Sequence, residues 1–92
     1  MTNPVAKRFA ANLQTLRKST GMSQEEIAFR AGMHRTQISL LEGGDRMPRV
    51  ETLVKLAGAL EATPNDLLAG ISFRPLAVVV GGFEIDASGA ES

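Results

Sequence analysis

The sequence predicts a small, mainly α domain of five helices closed by a short C-terminal β extension, and three observations predict it. Apolar residues recur at spacings of three and four through most of residues 5–68, the periodicity of amphipathic helices. Glycines, and capping residues placed just ahead of each apolar run, divide that stretch into five pieces. From Ile71 onward the composition turns β-like, with β-branched residues and phenylalanine in alternation. At 92 residues, 43% of them hydrophobic, the chain can build one domain around one core.

The first helix is expected from Val5 to about Ser19, with Val5, Phe9, Leu13 and Leu16 on its apolar side, Lys7, Arg8, Asn12 and Lys18 elsewhere, and Gly21 closing it. Ser23-Gln24-Glu25-Glu26 is a capping box: the serine hydroxyl can accept from the backbone three residues on, and Glu26 can reach back. It opens a second, short helix with Ile27, Ala28 and Ala31 inward. Gly32 then supplies a residue able to take positive φ. A third helix follows, His34 at its cap and Ile38 and Leu41 inward, and Gly43-Gly44-Asp45 ends it. Pro48 restarts the chain, and Val50, Leu53, Leu56, Ala57 and Leu60 form the inner stripe of a fourth helix. Thr63-Pro64-Asn65-Asp66 combines a cap, an N1 proline and an acidic first turn, opening a fifth helix through Leu67 and Leu68 to Gly70. Met22, Met33 and Met47 read as core or rim filler.

Residues 1–70 thus make one helical domain, and residues 71–86 a β-like tail. In the tail Ile71 to Arg74 and Phe83 to Ile85 alternate, Leu76 to Val80 is valine-rich, and Gly81-Gly82 can turn. Asp86 to Ser92 is small and polar, and residues 87–92 are expected to be disordered.

Composition removes most enzyme classes. The chain has no cysteine and one histidine, so thiol catalysis, disulfides and multi-histidine or thiolate metal sites are excluded, and no metal or cofactor is expected. No acid, base and nucleophile can be assembled, so no enzyme is expected. The N-terminus lacks the apolar region of a signal peptide, and Leu76 to Val80 is too short to span a bilayer, which leaves the cytoplasm and no membrane partner as the expectation. The net charge is zero but unevenly spread. Residues 1–55 carry nine cations against five acids, and residues 56–92 carry Arg74 against Glu61, Asp66, Glu84, Asp86 and Glu91. A basic front with an acidic back suits a polyanion-binding face.

The informative segment is Gln24 to Leu41. Gln24-Glu25-Glu26-Ile27-Ala28 through Ala31-Gly32-Met33, followed by Ile38, Leu41 and Glu42, resembles the helix-turn-helix of the phage-repressor, Cro and XRE-type bacterial regulators. In that pattern a small residue sits where two helices cross, a glycine makes the turn, and a β-branched residue and a leucine anchor the second helix. Ala28, Gly32, Ile38 and Leu41 match it. The resemblance covers about residues 5–70, extending to Thr52-Leu53 and to the Thr63-Pro64, Asp66-Leu67-Leu68 segment. It implies a lambda-repressor-like fold and double-stranded DNA as partner, with residues 1–70 as the DNA-binding domain.

A helix anchored by Ile38 and Leu41 can stand proud and enter the major groove. Its outward residues are then Arg35, Thr36, Gln37, Ser39 and Leu40, which offer base-edge chemistry: arginine for guanine, glutamine for adenine, threonine or leucine for a thymine methyl. Leu40 departs from the polar or basic residue usual in the family, so it touches either a thymine methyl or a partner. Phosphate contacts are expected to flank this helix. Gln24 begins the preceding helix, where family members commonly hold phosphate, and Gly43 and Gly44 can expose backbone N–H groups beside Arg46 and Arg49. His34, where the family more often has serine or threonine, is a poor cap and a candidate phosphate donor. Arg49 likewise replaces a common serine cap, which strengthens its phosphate reading. The resemblance further implies that Arg17 and Glu42 form a partly buried ion pair, phosphate being the alternative for Arg17.

The expected function is a transcriptional regulator, most simply a repressor, reading a palindromic operator as a homodimer. The tail is the expected dimerisation arm, through Leu76, Val78, Val79, Val80 and Phe83, because an exposed valine-rich strand needs a partner; a hairpin folding back within the chain is the alternative. An antitoxin, or another module with a protein partner, is the second function class, since antitoxins also resemble this family.

Overall fold

The computed structural model describes residues 3–75 and 82–85. In chain order they form α1 (Pro4–Thr20), α2 (Gln24–Ala31), α3 (Arg35–Glu42), α4 (Val50–Ala59), the single turn α5 (Pro64–Leu67), β1 (Ile71–Arg74) and β2 (Gly82–Ile85). Local chemistry sets most boundaries. Asn3 caps α1, its side-chain oxygen accepting from the Val5 N–H at 2.9 Å with Pro4 at N1, and Gly21 ends it at φ 78°. Ser23 accepts from the Glu26 N–H at 3.0 Å to start α2, but the Glu26 carboxylate faces Arg30 at 3.6 Å, so only half of the expected capping box forms. Thr63 and Asp66 do form a reciprocal box at α5, with bonds of 2.9 and 3.2 Å.

Phe9 and Leu13 of α1 meet Ile27, Ile38, Leu56 and Leu67 in the fully buried centre, so every helix contributes. Burying each such side chain is worth about 1.5–3 kcal/mol. The fourth helix corrects the expected stripe: Leu56, Ala57 and Leu60 are buried, but Val50 is 78% exposed. At 100° per residue, Val50 falls about a quarter turn from the direction shared by the buried residues, and at the first position of α4 it has no packed turn before it. Of the methionines, Met22 is buried, Met33 packs partly against the core, and Met47 is exposed.

The fifth helix is shorter than expected. It stops at Leu67, the Leu68 N–H is shared between the carbonyls of Pro64 and Asn65, and Gly70 at φ 81° turns the chain into β1. Arg8 and Asn12, two polar residues of α1 that lie off its expected apolar stripe, are buried beneath this turn. Asn12 donates to the carbonyls of Leu67 (2.8 Å) and Ala69 (3.0 Å), and Arg8 Nε donates to Ala69 (3.2 Å) and the Asn12 side-chain oxygen (3.3 Å). A helix end leaves carbonyls without partners, and these side chains supply the donors.

β1 and β2 pair antiparallel within the chain, Ile71 opposite Ile85, Ser72 opposite Glu84, Phe73 opposite Phe83 and Arg74 opposite Gly82, with β2 against α1. This is the hairpin alternative for the described part of the tail. Gly82, expected in a turn, opens a strand. Phe83, expected to meet a second chain, packs edge-on against Phe73 at 5.4 Å. The expected contributions of Leu76, Val78, Val79 and Val80, and of residues 87–92, lie outside the described residues.

The glycines separate two effects. A Cβ on Gly70 would lie 2.7 Å from the Arg8 Cζ, on a backbone with positive φ, whereas one on Gly58, within α4, would meet open space. Gly70→Ala is therefore expected to destabilise the fold by about 1–3 kcal/mol, and Gly58→Ala to stabilise it by about 0.5–1 kcal/mol. Urea unfolding of the two variants checks both signs.

Candidate nucleic-acid interface

Two short helices joined by a three-residue turn form the candidate site. Gly32 adopts φ 69°, and the Met33 N–H returns to the Ala28 carbonyl at 2.8 Å, which ends α2 sharply. Ala28 is buried at the crossing, and Ile38 and Leu41 fasten α3 to the core. With those anchors inward, Arg35, Thr36, Gln37, Ser39 and Leu40 are all exposed on one helix.

Glu42, at the C-terminal end of α3, is buried and ties three helices together. Arg17 of α1 grips its carboxylate with two prongs, Nε to Oε2 at 2.6 Å and Nη2 to Oε1 at 3.0 Å, and also donates to the Met22 carbonyl at 3.0 Å. Gln24 of α2 donates to Oε1 at 3.0 Å, and Gln14 donates to the Glu42 carbonyl at 3.2 Å. Donating to Glu42 holds the Arg17 pKa above the ordinary arginine range, against the opposite pull of burial. The stability linked to a raised cation is present at every pH below its ordinary range and is lost only as pH climbs through the raised value, so Arg17 adds no titration near neutrality.

Several of the expected phosphate contacts have partners within the chain. The Gln24 amide nitrogen commits one of its two hydrogens to Glu42, and the start of α2 also offers an anion its first-turn backbone N–H groups. Arg17 is held by the Glu42 carboxylate and the Met22 carbonyl. Gly43 and Gly44 do not expose free N–H groups: they donate to the carbonyls of Ser39 (3.0 Å) and Leu41 (3.3 Å), which completes the end of α3. Gly44, at φ 86°, is buried against α1. His34 is exposed at the N-cap of α3, and its backbone N–H is taken by the Gln37 side-chain oxygen at 3.1 Å.

Arg46 and Arg49 are exposed in and just after the loop that follows α3, Arg49 standing at the N-cap of α4 with no capping bond of its own. Beside them runs a cleft of 460 Å³, walled by Gln37 and Leu40 on the α3 side and by Arg46, Arg49, Thr52 and Lys55 on the other. Thr52 and Lys55 were not among the expected contacts. They sit three residues apart on α4, one turn and two turns beyond Arg49, and that spacing is the signal that would have placed them. Three cations against the single acid Glu51 give the cleft a positive wall. Among the described residues no three histidines or acids gather as a metal site, and no helix is long and apolar enough to cross a membrane.

Arg17→Met is expected to cost about 3–5 kcal/mol, because it strands a buried carboxylate. Arg17→Met combined with Glu42→Leu is expected to recover most of that loss. Thermal unfolding of the single and double variants measures the difference.

Comparison with known proteins places this arrangement in context. The family model HTH_3, described as helix-turn-helix, matches residues 13–67. Control protein C.BamHI of Bacillus amyloliquefaciens is 39% identical over 69 residues, 74% of this chain and 85% of the relative. The uncharacterized HTH-type transcriptional regulator y4dJ of Sinorhizobium fredii is 39% identical over 69 residues, 75% of this chain and 90% of the relative. Among solved structures, the restriction-modification controller protein C.AhdI of Aeromonas hydrophila superposes with a TM-score of 0.66 at 35% identity, covering 67% of this chain and 94% of that one.

Proposed function

The chain belongs to the HTH_3 helix-turn-helix family, and from that premise we propose that it is a sequence-specific DNA-binding regulator of transcription, the role for which its relative y4dJ is named. The observation that carries the proposal is the five-residue outer face of α3, exposed on a helix whose Ile38, Leu41 and Glu42 are all buried. Such a helix enters the major groove as a rigid body, with Arg35 nearest its N-terminal end. Arg46, Arg49 and Lys55 then lie along the flanking backbone, where cations position the protein without reading sequence. Leu40, at the cleft wall, supplies an apolar contact of the kind a thymine methyl accepts.

One such helix reads only a few base pairs, so a homodimer on a palindromic operator is the working form, and occlusion of polymerase is its simplest consequence. The hairpin supports dimerisation. Phe73 and Phe83 are 52% and 60% exposed as a pair, an apolar surface a second copy would cover.

Selection of bound duplex from a random pool tests the reading. Arg35→Ala is expected to relax base preference at one position by about 1–3 kcal/mol, while Arg46→Ala weakens all sequences alike and lowers the salt slope by about one. Equal losses on selected and random DNA for Arg35→Ala would remove α3 from the reading role. Sedimentation of a Phe73→Ser, Phe83→Ser variant is expected to show a folded chain with weakened self-association, and unchanged association would move the interface elsewhere.

A further inference from the structure

Among the five exposed residues of the α3 face, Leu40 is the one whose side chain has no hydrogen-bonding group, and it is 40% exposed. The buried anchors fix where it stands on the helix. At 100° per residue, the direction opposite Ile38, Leu41 and Glu42 passes within about 30° of both Thr36 and Leu40, while Ser39 and Gln37 fall about 75–85° to either side and Arg35 further round. Thr36 and Leu40 are four residues apart, so they form one outward ridge. What α3 presents foremost is therefore an apolar side chain beside one that pairs a methyl with a hydroxyl. Leu40 also walls the α3 side of the cleft whose other wall carries Arg46, Arg49 and Lys55. With phosphate drawn to those cations, Leu40 is left on the base side.

Base edges in the major groove are lined by donors and acceptors, and the apolar group among them is the C5-methyl of thymine. A leucine set against an amino or carbonyl edge strips water from it and returns no bond, whereas against a methyl the same loss of water is favourable. The base behind the methyl is immaterial to that contact, since cytosine methylated at C5 carries the same group on the same ring carbon. We propose that α3 reads a C5-methyl group through Leu40, so that methylation of a cytosine at that position of the operator strengthens binding. The proposal rests on α3 being the DNA-reading helix, and adds to that reading a response to cytosine methylation.

Pairs of duplexes that differ by one methyl test it on the unaltered protein. Selection from a random pool supplies the site, and each thymidine of both strands is then exchanged for deoxyuridine, which removes the methyl and leaves the hydrogen-bonding edges and the opposite adenine as they were. At one position of the half-site this exchange is expected to weaken binding about fourfold, the worth of one buried methyl group. With a C·G pair placed at that position, 5-methylcytosine is expected to bind about fourfold more tightly than cytosine, whatever the change of base pair itself costs. In Leu40→Ala both ratios are expected to fall to near one, a cycle that isolates the contact between side chain and methyl. The substitution is at an exposed helical site and alanine is the best helix former, so the fold is kept; circular dichroism checks this. No position weakened by uracil, a 5-methylcytosine that binds no better than cytosine there, or ratios that survive Leu40→Ala would each overturn the proposal. Ratios levelled by Thr36→Ser and not by Leu40→Ala would assign the methyl to Thr36 and overturn it equally. If the methyl exchanges change nothing while Arg35→Ala still relaxes base preference, the proposal falls and the DNA-binding reading stands. If no duplex is selected at all, both fall.

Discussion

The carboxylate of Glu42 is the constraint on which the candidate interface depends. It is buried at the end of α3, and a buried carboxylate is stable there only if its lone pairs are met. Arg17 meets them from α1 and Gln24 from α2, and Gln14 holds the carbonyl of the same residue. Three helices therefore converge on one residue. A hydrophobic contact at this place would hold α3 with similar strength but with less angular definition, because dispersion has no preferred direction and a two-pronged guanidinium does.

Much of the polar chemistry near α3 is consequently directed inward. Gln24 serves Glu42, Gly43 and Gly44 finish the helix, and Gln37 caps its other end. The groups left for a ligand are fewer than a count of polar residues suggests. Besides the first-turn N–H groups of α2, they lie in two sets: the exposed face of α3, and the cations that follow it through Arg46 and Arg49 to Lys55. This separation suits DNA, because the face can address base edges while the cations address phosphate.

The turn at α5 shows the same use of side chains to complete a backbone. The single turn of α5 ends in carbonyls that no following helix satisfies, and Asn12 and Arg8 reach up from α1 to meet them. One Arg8 nitrogen, Nη2, is buried without a hydrogen-bond partner among the described residues. Gly70 is required there because the guanidinium occupies the space a side chain would need.

The helix order, the sharp turn at Gly32 and the anchors Ile38 and Leu41 are legible in the residues alone, since caps, glycines and apolar spacing act within a few residues of chain. So is the outer face of α3, which follows from those anchors once the period is known. Which donors stay free is set by packing between distant segments. Arg17 and Glu42 are 25 residues apart, and Asn12 and Leu67 are 55 apart, so no local pattern reveals that Gln24 is turned inward or that α1 presents two buried polar groups to α5. The exposure of Val50, the early end of α5 and the pairing of β1 with β2 inside one chain were decided at the same level. Each depends on what the neighbouring element leaves uncovered, and hydrogen-bond partners and buried faces are properties of a packed arrangement, not of a segment.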